Sequence, residues 1–213
     1  MTKFQRTWAL AAVMLLGLAG ILAFAQKKPA VGPTAPAAQP KVEEASPMLL
    51  KLDAAEQQRV RAAVARPAPV NIEAVVQEFN GPFDSVAGHM DEFLKEFKEQ
   101  KLNAGLKGNP IGLLIVYSEP QGNTAHLGVG VEVTGALQPK PPLKLEHFST
   151  PQGIRVVREG DYGKLENLHH AIHETAQHTH KRGTSFPSVV RLLDDPRKVG
   201  PGRARYELVE KLQ

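Results

Sequence analysis

Five histidines crowd one stretch of the chain: His169, His170, His173, His178 and His180. On a helix, at about 100° per residue, His169, His173, His180 and Glu166 fall on one face. Imidazoles four residues apart can share one ion such as zinc, copper or nickel, and a carboxylate or third imidazole completes the set. His169 and His173 with Glu166, or with His170 in its place, are therefore the candidate metal ligands. His180 stands about 10 Å along the axis from His173, too far to join them. The competing reading is a plain polar helix face, since no second ligand group is identifiable in the sequence. His173-Glu174 begins like the zinc-protease pair, but the next histidine is His178, so the H-E-x-x-H spacing is absent.

The remaining chemistry is narrowed by what the chain lacks. It contains no cysteine, which excludes a thiolate metal site, a cysteine nucleophile, a lipobox anchor and a disulfide framework. There is no G-x-S-x-G and no G-x-x-x-x-G-K-[ST], and Gly128-Val129-Gly130 lies inside a strand pattern rather than at a strand-to-helix turn. No catalytic residue is assigned and no cofactor is expected.

The elements that must position these side chains are legible from periodicity. Val70 to Phe79 is a β-branched run that meets the turn Asn80-Gly81-Pro82-Phe83, followed by a helix with Val86, Met90, Phe93, Leu94 and Phe97 on one face. Apolar strands follow at Ile111 to Tyr117, ending at Ser118-Glu119-Pro120, and at Leu127 to Val133. The order then recurs. Leu143 to Phe148 and Ile154 to Arg158 read as strands, Gly160-Asp161-Tyr162 as the turn, and Leu165, Leu168, Ile172 and Ala176 as the helix stripe. Val189 to Leu193 and Arg205 to Leu212 close the series. That stripe centres nearly a quadrant from the histidine face, so the histidines stand on its shoulder or in solvent. One constant offset pairs Gly81 with Gly160, Phe83 with Tyr162, Val86 with Leu165, Phe93 with Ile172 and Val133 with Leu212. Two units of this size cannot stack into a solenoid, and they suggest a pseudo-twofold pair, copy one at 70–135 and copy two at 143–213, sharing one sheet.

The series resembles the GyrI-like domain, the effector-binding domain of AraC-type and multidrug-responsive regulators, over about 70–213. The resemblance rests on the Gly81-Pro82-Phe83 turn and its counterpart at 160–162, on apolar strands ending at acidic-Pro turns (Glu119-Pro120, Asp195-Pro196), and on the closing strand Arg205-Tyr206-Glu207-Leu208-Val209. It departs at Asp161 and Lys211, where relatives usually carry Pro. It implies an α+β fold of duplicated β-α-β-β units, with one antiparallel sheet, helices on one side and a small-molecule cleft between the halves. It implies further that a carboxylate on the last strand faces the cleft, at Glu207, with Phe83, Tyr117, Tyr162 and Tyr206 among the few aromatics able to line it. An edge-strand Glu207 in solvent is the alternative, because alternation along a strand does not by itself say which face is buried. The expected function is a non-catalytic site for a small cationic or hydrophobic ligand. Two alternatives stay open: a hydrolase of electrophilic small molecules using Glu207 with Tyr162 or Tyr206, and a protein-interaction module with no ligand.

The N-terminus carries an address. Lys3 and Arg6 precede an apolar run from Trp8 to Ala25 that ends Ala23-Phe24-Ala25. This is the form of a signal peptide cleaved after Ala25, and its length overlaps that of a membrane anchor. Either way the rest of the chain is expected outside the cytoplasm, periplasmic, secreted or anchored, with the membrane touched only by an uncleaved 1–25. A Pro- and Ala-rich linker (26–47) without apolar period follows, then a helix and connector (48–69). Lys3 and Arg6 supply two of the formal +4 charges, no basic stripe is present, and no helix-turn-helix pattern precedes the domain, so nucleic acid is not an expected partner.

Overall fold

The run Val70, Ile72, Ala74, Val76 alternates with residues of the opposite face, as a strand buried on one side requires. In the computed structural model, which describes residues 46–107, 112–160 and 165–213, this run lies in β1 (Ala68–Pro82). The leader 1–25, all but the end of the 26–47 linker, and Tyr162 with its turn lie outside the described residues. The helix α2 (Val86–Glu99) follows β1, then β2 (Leu113–Val116) and β3 (Thr124–Glu132). The second half comprises β4 (Leu143–Glu159), α3 (Glu166–His180), β5 (Thr184–Leu192) and β6 (Arg205–Leu212). Every strand pairing is antiparallel, and the strands close on themselves in the order β1-β3-β2-β5-β6-β4. Among the described residues the fold is thus α+β with six antiparallel strands. The single antiparallel sheet expected from sequence closes into a barrel, joined through β2 with β5 and β1 with β4.

The strands expected at Leu143 to Phe148 and Ile154 to Arg158 are one strand, β4. Ser149 to Gly153 looks like a break locally, yet here β4 changes partner, from β1 to β6, with Gly153 opposite both Ala68 and Lys211. Proline is tolerated at such a corner, where the ladder shifts register.

Two hydrophobic clusters follow from the alternation of side chains. Val70, Ile72, Ala74, Val76, Leu113, Ile115, Phe148, Val189 and Val209 come from five strands and no helix, which identifies them as the barrel interior. The outer face of the strands meets the helices in a larger core containing Phe93, Phe97, Leu168, Ile172, Tyr206 and Leu208. The interior is narrow. A Cβ at Gly130 would lie 2.3 Å from the Val75 carbonyl oxygen and 2.7 Å from Val76 Cγ1, so glycine there lets β3 approach β1.

The interior rows end in charge. At the Tyr117 end, Lys144 bridges Glu78 and Glu146, and Tyr117 stacks on His126 with ring centres 4.7 Å apart. At the Leu113 end, Arg191 is held between Glu132 and Glu207, at 2.8 Å from Glu207.

The 48–69 segment is part of this body. A 3-10 turn (Leu49–Lys51) leads to α1 (Ala54–Ala65), whose N-cap Asp53 accepts a hydrogen bond from the Glu56 amide at 2.8 Å. Leu49, Leu52, Val60 and Val64 are buried in the outer core. Polar ties join the same segment to the second half: Ser46 Oγ donates to the Glu174 carboxylate, Glu56 pairs with Arg158 at 2.6 Å, and His180 Nε2 meets the Val64 carbonyl at 2.6 Å. Among the described residues no helix is long and apolar enough to cross a membrane.

Candidate functional site

The outward row of β6 reads Tyr206, Leu208, Glu210, Leu212, an apolar row interrupted by one carboxylate. Opposite it, the β5 ladder is irregular. Ser185 pairs with Lys211 and Val189 with Val209, so Phe186, Pro187 and Ser188 together face Glu210 alone. Such a bulge re-aims side chains, and here Phe186 and Ser188 border a cavity outside the barrel.

The cavity measures about 620 Å³ counting its open mouth. Its walls come from both halves of the chain: Phe83 before α2, Val116 of β2, Glu119, Pro120 and Gly122 of the β2–β3 turn, and the first turns of α3 at Leu165, Glu166, His169 and His170. Leu208 and Glu210 of β6 complete it. Just over half of this lining is apolar, and Glu119, Glu166, His169, His170, Ser188 and Glu210 supply polar groups beside it; small-molecule pockets combine the two.

Glu210 is 0% exposed. Its Oε1 receives His169 Nδ1 at 2.5 Å and the Ser188 hydroxyl at 3.4 Å, while its Oε2 is buried without a hydrogen-bond partner. A carboxylate taken out of water needs compensation of its charge, and half of this one lacks it. His169 is the compensating group, its ring 4.7 Å from that of Phe186. Burial pulls the His169 pKa down, but the hydrogen bond and charge of Glu210, with a contribution from Glu119, outweigh it and hold the imidazolium above the ordinary histidine value. The site can therefore store a positive charge against Glu210, and its apolar walls strengthen the attraction of that carboxylate for any cation.

Of the residues singled out from sequence as site candidates, Phe83, Glu166, His169 and His170 line the cavity. Glu207 does not: it faces the barrel interior and its carboxylate binds Arg191 at 2.8 Å. Tyr117 stands at the barrel mouth, where burial first, then the charges of Glu146 and Glu78, push its hydroxyl well above the usual tyrosine range. Tyr206 is fully buried in the outer core. The side chains of the candidate metal group have other partners. His173 Nδ1 accepts the Thr184 amide at 3.1 Å, its Nε2 contacts Gln177 at 2.9 Å, and Glu166 lies 3.8 Å from His170 rather than beside His169. Among the described residues no three histidine or carboxylate side chains gather to hold a metal ion. His169 instead meets Glu210 of β6, His173 meets Thr184 of β5 and Gln177 of its own helix, and His170 faces Glu166 one turn back.

Glu210 was missed, although a signal for it exists. In Arg205 to Leu212 the row 206, 208, 210, 212 is apolar except for Glu210, while the row 205, 207, 209, 211 carries Arg205, Glu207 and Lys211. Period-two reading places the helix-facing side on the first row, and with it Glu210.

No protein-family model and no curated protein matches the chain. Solved structures do match its fold. The C-terminal domain of EcmrR is similar at a TM-score of 0.52 and 11% identity, covering 70% of this chain and 96% of that one. EcmrR in its DNA complex is similar at 0.51 and 10%, covering 70% of this chain and 56% of that one, so the chain spans little more than half the length of that protein. SAV2435, solved bound to tetraphenylphosphonium, is similar at 0.47 and 13%. The strand order and the likeness to EcmrR are consistent with a GyrI-like fold, the one that the turn and strand motifs of the sequence resemble.

Proposed function

We propose that this chain binds small lipophilic cations in the cavity between its halves, with Glu210 as the counter-charge. One observation carries the reading: a fully buried carboxylate with an unpartnered oxygen borders a recess just over half apolar. Phe83, Phe186, Leu165 and Leu208 supply surface for hydrocarbon, and Glu119 and Glu166 add negative charge at the same walls. The recognition role that the family resemblance assigned to Glu207 moves to Glu210, because Glu207 is already neutralised by Arg191. The recurrence of strand, helix, strand, strand, with the third strand between the other two in each half, supports a duplicated unit whose seam forms the cavity.

Titration calorimetry with tetraphenylphosphonium, a permanent cation bearing only hydrocarbon, tests the reading. Glu210→Gln is expected to weaken binding by at least about tenfold, the scale of one lost charge-assisted contact. Glu207→Gln is expected to leave affinity within about twofold while lowering stability. Equal affinity in wild type and Glu210→Gln would remove the carboxylate from the site.

We propose further that this domain works outside the cytoplasm, on the strength of Lys3, Arg6 and the Trp8 to Ala25 run. Intact-mass measurement of the protein expressed in a bacterial host is expected to show a new N-terminus at Gln26. A chain retaining Met1 and found in the soluble cytoplasm would reject export.

A further inference from the structure

We infer that the cavity takes up its cation in exchange for a proton on His169, so that this histidine decides both the charge class of the guest and the pH at which the guest enters. The inference deepens the cation-binding reading and rests on it. It begins with geometry: His169 Nδ1 and Glu210 Oε1 are 2.5 Å apart, and both residues border the one cavity. A guest cation seated against Glu210 and an imidazolium bonded to the same carboxylate would set two positive charges against the one buried carboxylate, with Glu119 and Glu166 elsewhere on the walls. Such an arrangement is disfavoured, and the imidazolium is the charge that can leave as a proton.

The groups facing His169 support this assignment. On its own helix stand Glu166, His170 and His173. Glu166 is 3.8 Å from His170, and His173 is engaged by Thr184 and Gln177. The β2–β3 turn contributes Glu119, whose charge also favours the protonated ring. From β5 come the Phe186 ring and the Ser188 hydroxyl, and from β6 Glu210. His169 is thus the protonatable group in direct contact with the buried carboxylate. Burial lowers its pKa, but the hydrogen bond and charge of Glu210 raise it above the ordinary histidine value and so favour the protonated ring in the empty site. In the exchange the guest takes the place of the imidazolium as partner of Glu210, His169 becomes neutral, and one proton passes to solvent. Proton and guest therefore compete, and linkage makes each weaken the other by the same factor.

The experiment is calorimetric titration of the full chain with tetraphenylphosphonium chloride across pH 6 to 9, in paired buffers of different ionisation enthalpy. Below the His169 pKa, affinity is expected to rise by up to about tenfold per pH unit with close to one proton released per cation bound, and to level off above it. His169→Gln is expected to bind with no proton release and little pH dependence. The proton count in the wild-type protein needs no variant, so misfolding of His169→Gln would not blunt the test. Binding that is independent of pH and releases no proton overturns the exchange while leaving the cation site standing. Proton release that persists unchanged in a folded His169→Gln also overturns it. Absence of binding at every pH removes the cation reading and the exchange with it.

Discussion

At the scale of single residues, the Glu210–His169 pair has a consequence for stability apart from ligand. His169 has its folded pKa raised above its unfolded value. A group of this kind contributes stability that is fully present below the unfolded pKa, near 6.5, and is lost as pH rises through the folded value. Urea denaturation of wild type and His169→Gln is therefore expected to differ most at pH 5.5 to 6.5, by on the order of 1.5–3 kcal/mol as for other charge-assisted hydrogen bonds. The difference is expected to shrink toward pH 9. A gap that widens with pH would mean that the neutral ring, not the imidazolium, partners Glu210. The same scale explains why Glu207 and Glu210 have unlike surroundings three positions apart. An odd spacing on a strand places them on opposite faces, one inside the barrel against Arg191 and one outside it against α3.

At the scale of elements, the barrel depends on how closely β3 can lie against β1. Val76 pairs with Gly130 and Glu78 with Gly128, and the Tyr117 ring occupies the space a Cβ at Gly128 would need, with its nearest atom at 3.0 Å. Gly130→Ala would drive a methyl group into the Val75 carbonyl, which is backbone and cannot rotate away. Overpacking of this kind costs about 1–3 kcal/mol, and the loss should appear as a lower denaturation midpoint with an unchanged slope. The β5 bulge is the complementary device. By setting three residues opposite one, it breaks the ladder where Glu210 sits and turns Phe186 and Ser188 toward the cavity. Neither feature shows in a hydropathy pattern. Gly128 and Gly130 read as weak points in a strand, and Phe186-Pro187-Ser188 reads as the loop before one.

At the scale of the whole molecule, the segment before Val70, from Ser46 on among the described residues, packs with the barrel and its helices. Leu49, Leu52, Val60 and Val64 close the outer core over α3 and β4, and Glu56 pairs with Arg158. A chain starting at residue 70 is expected to be several kcal/mol less stable than one starting at residue 46, since each fully buried aliphatic side chain contributes roughly 1.5–3 kcal/mol. Differential scanning calorimetry of the two truncations decides it. Equal melting would make α1 a passenger.

Several features could be read without any fold. The helix stripes Val86, Met90, Phe93, Phe97 and Leu165, Leu168, Ile172, Ala176 are buried as their spacing requires, with Leu94 of the first stripe half-buried, and the last strand has the bounds its pattern implies. Both are local, because a period of 3.6 or 2 is imposed by backbone geometry over a few turns. Barrel closure, the fusion of two apparent strands into β4, and the opposite surroundings of Glu207 and Glu210 were settled by tertiary structure. Each depends on which strand lies beside which, and pairing partners are far apart along the chain. The histidine face shows the same division: sequence set the spacing of His169 and His173 on the helix, and packing gave one to Glu210 and the other to Thr184. Periodicity decides which side chains share a face, and only contacts between distant segments decide what that face meets.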